Sequence, residues 1–250
     1  MILTVQGIRF HYPGRPVLEE VSFAVEEGEV LAILGTNGTG KTTLLKCLNR
    51  ILTPAAGTVL IKDEPISAFS RNALAQKMGY VEQQRSGSRA TVFNTVLLGR
   101  KPYIRWDITQ NDMAIAAQAL ETLGLEAYAL RYLDELSGGE LQKVVIARAL
   151  AQEPEILLMD EPTSSLDLKN QIEVVNLIRQ ISRERGIAAV VAMHDLNLAL
   201  RFADRFILLK DKTIYAAGGS EVMTPVNIEA VYAVPVTVAV HNGSRVVIPR

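Results

Sequence analysis

The sequence predicts an α/β fold with a parallel β-sheet at its centre, and three stretches carry this prediction. Two are short apolar runs, Val30–Leu34 and 156–159, the first followed by a glycine-rich loop and the second by two acidic residues. Uninterrupted apolar runs of this length are typical of strands buried on both faces. The third stretch, Leu168–Arg185, has apolar residues at helical spacing and leads into another apolar run at 187–193. A strand, a helix and a strand in succession favour a parallel core.

Composition sets limits on the class of protein. The chain has 250 residues, which is long enough to bury a sizeable core. Its net charge of −1 and pI near 6.3 give it no basic surface field that would attract nucleic acid. A single cysteine, Cys47, excludes an internal disulfide, fits a reducing compartment and is best explained as core packing. No apolar run reaches the roughly 18 residues of a spanning helix, and residues 1–6 do not resemble a signal peptide. Any association with a membrane is therefore expected through a partner.

The elements follow from changes in periodicity along the chain. Residues 1–34 are predicted to form strands and turns: the stretches 3–10 and 21–25 alternate in the manner of half-buried strands, and Pro13-Gly14 marks a turn. A helix is expected at 44–51. The segment 91–152 is predicted to be helical, with a helix start at Thr109 and Asp112 and a C-terminal cap at Gly124. Strands are expected near 187–193 and 206–209. The tail from residue 222, where prolines interrupt valines, has a weaker pattern.

Residues 35–43 form a phosphate-binding loop between the first apolar run and a helix. Glycines in the pattern Gly-x-x-x-x-Gly-Lys-Ser/Thr allow backbone N–H groups to face phosphate oxygens, and the following helix adds its positive end. Lys41 is expected to reach the β- and γ-phosphates, and Thr42 to ligate Mg²⁺. A nucleoside triphosphate is the implied ligand.

Two acidic residues end the second apolar run. Parallel strands present their carboxyl ends to ligands, so we expect Asp160 to hold Mg²⁺ through its water shell. Glu161, the next residue, is the natural group to orient or deprotonate an attacking water.

The segment Leu136-Ser137-Gly138-Gly139-Glu140 has two interpretations. Ser137 and Glu140 have the spacing of an ordinary capping box before an apolar helix. The two glycines, however, leave backbone N–H groups bare at a helix start, which is a ready anion site. Both interpretations can hold together.

Taken together, these motifs resemble the nucleotide-binding subunit of ATP-binding cassette (ABC) transporters, over nearly the whole chain and in family order. The resemblance implies a P-loop NTPase with a RecA-like core, an antiparallel β subdomain and an inserted helical subdomain, in one domain spanning residues 1–250. The core would comprise 1–90, with the β subdomain, and 153–221, the helical subdomain 91–152, and a C-terminal extension 222–250.

The resemblance also assigns roles residue by residue. Glu161, His194 and Lys41 would act in catalysis, and Thr42, Gln83 and Asp160 would hold the metal. His194 matches the switch histidine and Asp167 the D-loop. The implied nucleotide-binding residues are Tyr12 against adenine, Gly35, Thr36, Asn37, Gly38, Thr39, Gly40, Lys41, Thr42, Thr43, Gln83, Ser137, Gly138, Gly139, Glu140 and Asp167.

Several of these assignments have an ordinary alternative. An aromatic residue such as Tyr12 at the end of a strand is usually core, and a lone histidine such as His194 is usually packed or solvated. Gln83 is followed by Gln84, so the register of the Q-loop is open by one residue. The family commonly has proline where this chain has Glu82, which puts the local loop geometry in question.

The distance in sequence between two motifs limits which branch of the family the chain can resemble. Lys41 and Leu136 are 95 positions apart, which excludes the relatives that act on DNA and insert a long coiled coil there. One cassette without membrane helices is simplest as an importer subunit. The stretch Gly99-Arg100-Lys101-Pro102-Tyr103 is similar to the importer branch for iron-siderophore, haem and cobalamin permeases. The ordinary alternative is that Pro102, Tyr103 and Trp106 end a helix and cover the subdomain. We expect the surface between Gln83 and Trp106, with Arg100 and Arg105, to receive the permease.

The resemblance finally implies cofactors and partners. ATP and Mg²⁺ would be bound between two copies of the chain, which close on them as a homodimer mounted on transmembrane permease subunits at the cytoplasmic face of the membrane. An extracytoplasmic solute-binding protein would take part indirectly, and no nucleic acid is expected. The alternative is a soluble ABC ATPase, such as that of an iron-sulfur assembly complex, which has no permease. Residues 141–150 resemble transporter cassettes better.

Overall fold

A computed structural model describes residues 1–83, 89–241 and 243–250. The β-strands are Leu3–Tyr12 (β1), Arg15–Val25 (β2), Val30–Leu34 (β3), Ala56–Ile61 (β4), Glu64–Pro65 (β5), Met78–Val81 (β6), Ile156–Asp160 (β7), Ala188–Met193 (β8), Arg205–Lys210 (β9), Thr213–Gly218 (β10), Val236–His241 (β11) and Ser244–Pro249 (β12). The α-helices are Lys41–Leu48 (α1), Arg71–Lys77 (α2), Val92–Leu97 (α3), Gln110–Thr122 (α4), Gly138–Leu150 (α5), Leu168–Arg185 (α6), Leu196–Phe202 (α7) and Pro225–Tyr232 (α8).

The central sheet has six strands in the order β10-β9-β3-β8-β7-β6, and all neighbours are parallel except β9 and β10. Successive residues of β3 alternate between two cores: Val30, Ala32 and Leu34 lie in one, here called the upper core, and Leu31 and Ile33 lie in the other, here called the lower core. The inner strands β3, β7 and β8 are buried on both faces, which explains why they have no polar alternation. The predicted α/β fold is confirmed.

The N-terminal strands form a second sheet in the order β2-β1-β4-β5, with antiparallel pairing throughout. Its apolar face packs on the lower core together with α1, where Cys47 is fully buried and burial raises the pKa of its thiol to about 12. The prediction that Cys47 is a packing residue is confirmed. The predicted antiparallel β-sheet is present.

Helix α1 begins three residues earlier than predicted and ends at Leu48 rather than Ile51. Gly40, with φ of 103°, starts the helix directly at Lys41, and Arg50, with φ of 52°, turns the chain away after it. The helix start at Thr109 is confirmed, because Thr109 and Asp112 form a complete capping box.

Helices α3, α4 and α5 follow β6 and precede β7 in the sequence, and they pack together on the upper core. Gly124 follows α4 with φ of 64° and donates its N–H to the Glu121 carbonyl, as its predicted capping role requires. The boundaries 91–152 given for this subdomain stay a prediction.

The expectation that Arg100 contributes charge to an exposed docking surface is wrong. Arg100 is 3% exposed; its Nε lies 3.1 Å from Asp112 Oδ1 and its Nη1 2.7 Å from Glu153 Oε2. Nη1 also donates to the Ala151 carbonyl at 2.8 Å. Hydrogen bonds from Thr109, then the Arg100 guanidinium, lower the pKa of Asp112. Arg100 thus ties α4 to the end of α5, whereas Arg105 and Trp106 are exposed.

Candidate active site

The phosphate-binding loop connects β3 to α1. Its last glycine, Gly40, lies under β2: a Cβ there would come within 3.1 Å of the Val17 side chain and carbonyl, so only glycine fits without displacing the strand. No side chain caps α1, and the first N–H groups of the helix are left for a ligand. Within the loop, the Thr39 hydroxyl donates to the Thr36 carbonyl at 2.9 Å.

Lys41 lies inside the loop rather than in solvent. It is 6% exposed, and its Nζ donates to the carbonyl oxygens of Gly35, at 2.8 Å, and Thr36, at 3.2 Å. Burial lowers the pKa of Lys41, and the nearby carboxylates of Glu161 and Asp160 oppose this shift. The loop therefore holds a cation at the point where phosphate oxygens would lie.

Thr42 and Asp160 meet at the carboxyl end of the sheet. The Thr42 hydroxyl donates to Asp160 Oδ1 at 3.1 Å, although the two residues are far apart in sequence. Burial raises the pKa of Asp160, and the Thr42 hydrogen bond partly offsets this. A hydroxyl and a carboxylate are oxygen ligands of the kind Mg²⁺ prefers, and Mg²⁺ needs only one or two protein ligands beside phosphates and water. The residues present therefore fit this ion.

Glu161 has an unusual backbone. Its φ is 48°, in the left-handed region that residues other than glycine rarely adopt, and its N–H donates to the Ala192 carbonyl of β8 at 3.0 Å. Such conformations concentrate at functional sites, where neighbouring structure holds them. The turn separates Glu161 from Asp160, so two adjacent acidic residues have different surroundings.

Two residues that are distant in sequence, Gln83 and His194, converge on the Glu161 carboxylate. Gln83 Nε2 donates to Glu161 Oε2 at 2.8 Å, and His194 Nδ1 lies 3.6 Å from the same oxygen. The sequence predicted all three residues as site residues. Gln83 contacts Glu161 here rather than the Thr42–Asp160 pair, so its predicted role as a metal ligand stays a prediction. The competing residue Gln84 lies outside the described residues.

A cavity of about 420 Å³ opens over the loop. Tyr12 lines it, 43% exposed and in edge-to-face contact with Phe10 at 5.0 Å between ring centroids, so it is not a core residue. Sequence reasoning missed Arg15 and Val17, which also line the cavity; their position after the Pro13-Gly14 turn, on the strand paired with Tyr12, was the available signal. The other lining residues are Asn37, Gly38, Gly40, Lys41, Thr42, Thr43, Gln83 and Glu161.

The segment at the start of α5 lies elsewhere. Ser137 and Glu140 form the predicted capping box, and the hydrogen bonds from Ser137 lower the pKa of Glu140. A second cavity, of about 380 Å³, is lined by Ser137, Glu140 and Asp167 among others. Gly139 lies so close to Asn170, near the start of α6, that a Cβ would collide with it. Among the described residues, none lines both this cavity and the one over the phosphate-binding loop.

The two remaining histidines lie on the surface, as the sequence predicted. His11 and His241 are exposed. In the part of the chain that the structure describes, no three His, Cys, Asp or Glu side chains gather as a metal site, and no helix is long and apolar enough to cross a membrane.

Comparison with known proteins finds one family. The family model described as ABC transporter matches residues 18–164. An uncharacterised ABC transporter ATP-binding protein of Methanocaldococcus jannaschii is 55% identical and covers 100% of this chain and 98% of its own length. The hemin import ATP-binding protein of Streptomyces coelicolor is 42% identical, with 98% of this chain and 88% of its own length covered.

Solved structures agree with this finding. A metal-chelate type ABC transporter, in an inward-facing conformation, is similar with a TM-score of 0.86 and 30% identity, covering 100% of this chain and 96% of that chain. The dimeric structure of a bacterial ABC transporter cassette is similar with a TM-score of 0.77 and 30% identity, covering 87% and 98%.

Proposed function

The chain belongs to the ABC transporter family, and we propose that it is the ATP-hydrolysing subunit of an importer for an iron complex, such as a siderophore or haem, or for cobalamin. The family makes it an ATPase of importer-type transporters. The solute class and the residues that do the work are the proposed part. The convergence of Gln83 and His194 on Glu161 beside the phosphate-binding loop is the observation that carries the proposal.

ATP would enter the cavity over the loop, with adenine against Tyr12 and the phosphates over the bare start of α1. Lys41 would exchange its contacts with the Gly35 and Thr36 carbonyls for phosphate oxygens. A lysine already desolvated by the loop loses little hydration on this exchange, so its charge acts at full strength on the phosphates.

Thr42 and Asp160 would hold Mg²⁺, which when bound neutralises charge on the β- and γ-phosphates. The Thr42 hydroxyl donates its one proton to Asp160 and keeps two lone pairs, so it could ligate the ion without losing this hydrogen bond.

Glu161 would orient the attacking water and accept its proton. The side chain is 15% exposed, so it is shielded yet reachable from the cavity that it lines. The amide of Gln83 fixes Oε2 of the carboxylate by donating to it, and His194, with Nδ1 3.6 Å from the same oxygen, would steady the γ-phosphate.

A second copy of the chain would complete each site. The cavity over the loop and the cavity at Ser137 do not meet within one chain, and a helix start capped only by its own box can accept an anion from outside. Two copies related by a two-fold axis bring the loop of one to Ser137 of the other, twice. The dimeric cassette among the similar structures supports this arrangement.

The solute class is argued from relatives. A hemin import protein and a metal-chelate type transporter are among the proteins similar to this chain, and the Gly99-to-Tyr103 stretch points to the same branch. Transport implies permease subunits that hold the chain at the cytoplasmic face of the membrane, with a solute-binding protein outside. The alternative, a soluble scaffold ATPase of iron-sulfur assembly, has no permease.

Copurification separates these two functions. The tagged chain is recovered from detergent-solubilised native membranes and its partners are identified by mass spectrometry. A polytopic membrane protein in near-equal amount is the expected result, and the sequence of that protein then narrows the solute. Recovery with soluble proteins alone would overturn transport and favour the scaffold ATPase.

A further inference from the structure

The C-terminal residues 225–250, here called the C-terminal unit, comprise α8 and the hairpin of β11 and β12. Its apolar residues Ile228, Val231, Val236 and Val247 are buried in the upper core together with Leu198 of α7. Helix α7 begins two residues after His194. The unit thus packs on the helix that leads away from the switch histidine.

Asn197, in the first turn of α7, ties this helix to the hairpin. Its Nδ2 donates to the Val247 carbonyl at 3.0 Å, and its Oδ1 accepts the Val247 N–H at 2.8 Å. The amide thus pairs with one residue of β12 in the way a neighbouring strand would. Such a two-point contact fixes the orientation of the side chain as well as its distance.

Tyr232, at the end of α8, lies beside the start of the phosphate-binding loop. Its hydroxyl is buried beside the Gly35 backbone and near Asp195, and it makes no hydrogen bond of normal geometry with the described residues. Asp195 is also the N-cap of α7, where its Oδ1 accepts the Leu198 N–H at 2.9 Å. A hydroxyl without a hydrogen bond fixes no neighbour, so the connection between the C-terminal unit and α7 depends on Asn197 and on apolar packing.

The side chain of His194 is held by few interactions of its own with charged groups. The side chain is 56% exposed, and its 3.6 Å approach to Glu161 is the contact the structure gives it among charged groups of the described residues. Its position is therefore set by the backbone that connects β8 to α7. Whatever fixes the first turn of α7 also fixes His194.

We propose that the C-terminal unit positions His194 for hydrolysis, with Asn197 as the positioning residue that ties the first turn of α7 to the hairpin. The inference rests on the proposed role of His194 in ATP hydrolysis. It assigns to residues 225–250 a task in the reaction cycle rather than a task in stability alone. A displacement of α7 by a fraction of an ångström would move His194 relative to the γ-phosphate, and small misplacements slow a reaction without weakening substrate binding.

A double-mutant cycle tests this. Steady-state ATP hydrolysis by the purified full chain is measured for Asn197→Ala, His194→Ala and the double variant. We expect Asn197→Ala to lower kcat about three- to tenfold with the KM for ATP within about twofold, and to cause no further loss in the His194→Ala background. Asn197→Asp, which keeps the oxygen that accepts the Val247 N–H and removes the amide that donates to the Val247 carbonyl, should follow the same pattern and serves if Asn197→Ala does not fold.

Thr237→Ala is the matched control, because it removes the hydrogen bond between Arg250 and Thr237 inside the hairpin without touching α7. It should leave kcat unchanged. If Asn197→Ala lowers kcat by the same factor in both backgrounds, or in neither, the C-terminal unit does not act through His194 and the inference falls alone. If His194→Ala itself hydrolyses ATP at the full rate, the proposed role of His194 falls first and the inference with it.

Discussion

Replacing Glu161 by glutamine removes the proposed base while keeping its shape. The carbonyl oxygen of glutamine can still accept the hydrogen bond from Gln83 Nε2, now 2.8 Å from Glu161 Oε2, so the side chain should keep its place. What is lost is a negative charge and the capacity to take a proton. Positioned bases contribute about 10²- to 10⁴-fold, so turnover should fall at least about 100-fold, or about 2.7 kcal/mol of transition-state stabilisation.

The affinity of the Glu161→Gln chain for ATP should not fall with its turnover. Glu161 lines the cavity where the phosphates would lie, and removing one negative charge from it lowers the repulsion of ATP. The Kd for ATP should therefore be unchanged or lower, and the ATP-bound dimer should accumulate because hydrolysis no longer resolves it.

Three assays on one preparation check this: phosphate release for turnover, a fluorescent nucleotide for affinity and light scattering for the dimer. Glu20→Gln is the matched control, since Glu20 is exposed on β2 and pairs there with Arg9. It should alter none of the three readouts. Phosphate release at the normal rate from the Glu161→Gln chain would remove Glu161 from catalysis.

Other perturbations have equally definite outcomes. Arg100→Ala leaves Asp112 buried without its cation, so the free energy of unfolding should fall by about 3–5 kcal/mol and the melting temperature by roughly 10 °C. Arg105→Ala, at an exposed position, should change neither quantity. Equal melting curves for the Arg100→Ala chain and the unaltered chain would contradict the buried ion pair. Because the pKa of Asp112 is lowered in the folded state, its contribution is present above the ordinary aspartate pKa and is lost as the pH falls through the lowered value. Tyr12→Ala should raise the Kd for ATP about tenfold and Tyr12→Phe hardly at all, and equal affinities would place adenine elsewhere. Chelation of divalent ions should stop hydrolysis and added Mg²⁺ restore it, with Thr42→Ala raising the Mg²⁺ concentration needed; an unshifted Mg²⁺ titration would remove Thr42 from the metal site.

The features predicted well from sequence are those that depend on neighbouring residues. The apolar runs of β3 and β7, the full extent of α6 and the capping box at Thr109 each lie in one short segment, and the structure has them as expected. The start of α1 was misplaced, because residues 41–43 were counted as part of the loop, whereas the left-handed backbone of Gly40 ends the loop and the helix begins at Lys41.

Features set by distant contacts could not be predicted. Arg100 looked like a surface charge because its partner Glu153 is 53 residues away and meets it only after α3 and α5 pack. Arg15 and Val17 line the nucleotide cavity because β2 lies over Gly40, and the one sign of this in the sequence was their position after the Pro13-Gly14 turn, on the strand that pairs with Tyr12. The C-terminal hairpin was not assigned, since its short strands bury few side chains except against α7 and its neighbours.

The central claim is that ATP is hydrolysed at a site shared by two copies of this chain, and mixing two inactive variants tests it most directly. Lys41→Ala damages the loop and leaves Ser137 intact, whereas Ser137→Arg blocks the start of α5 and leaves Lys41 intact. A mixed dimer then contains one whole site, so the mixture should hydrolyse ATP well above either variant alone. If differently tagged copies copurify in ATP and the mixture stays as inactive as its parts, the shared site is wrong.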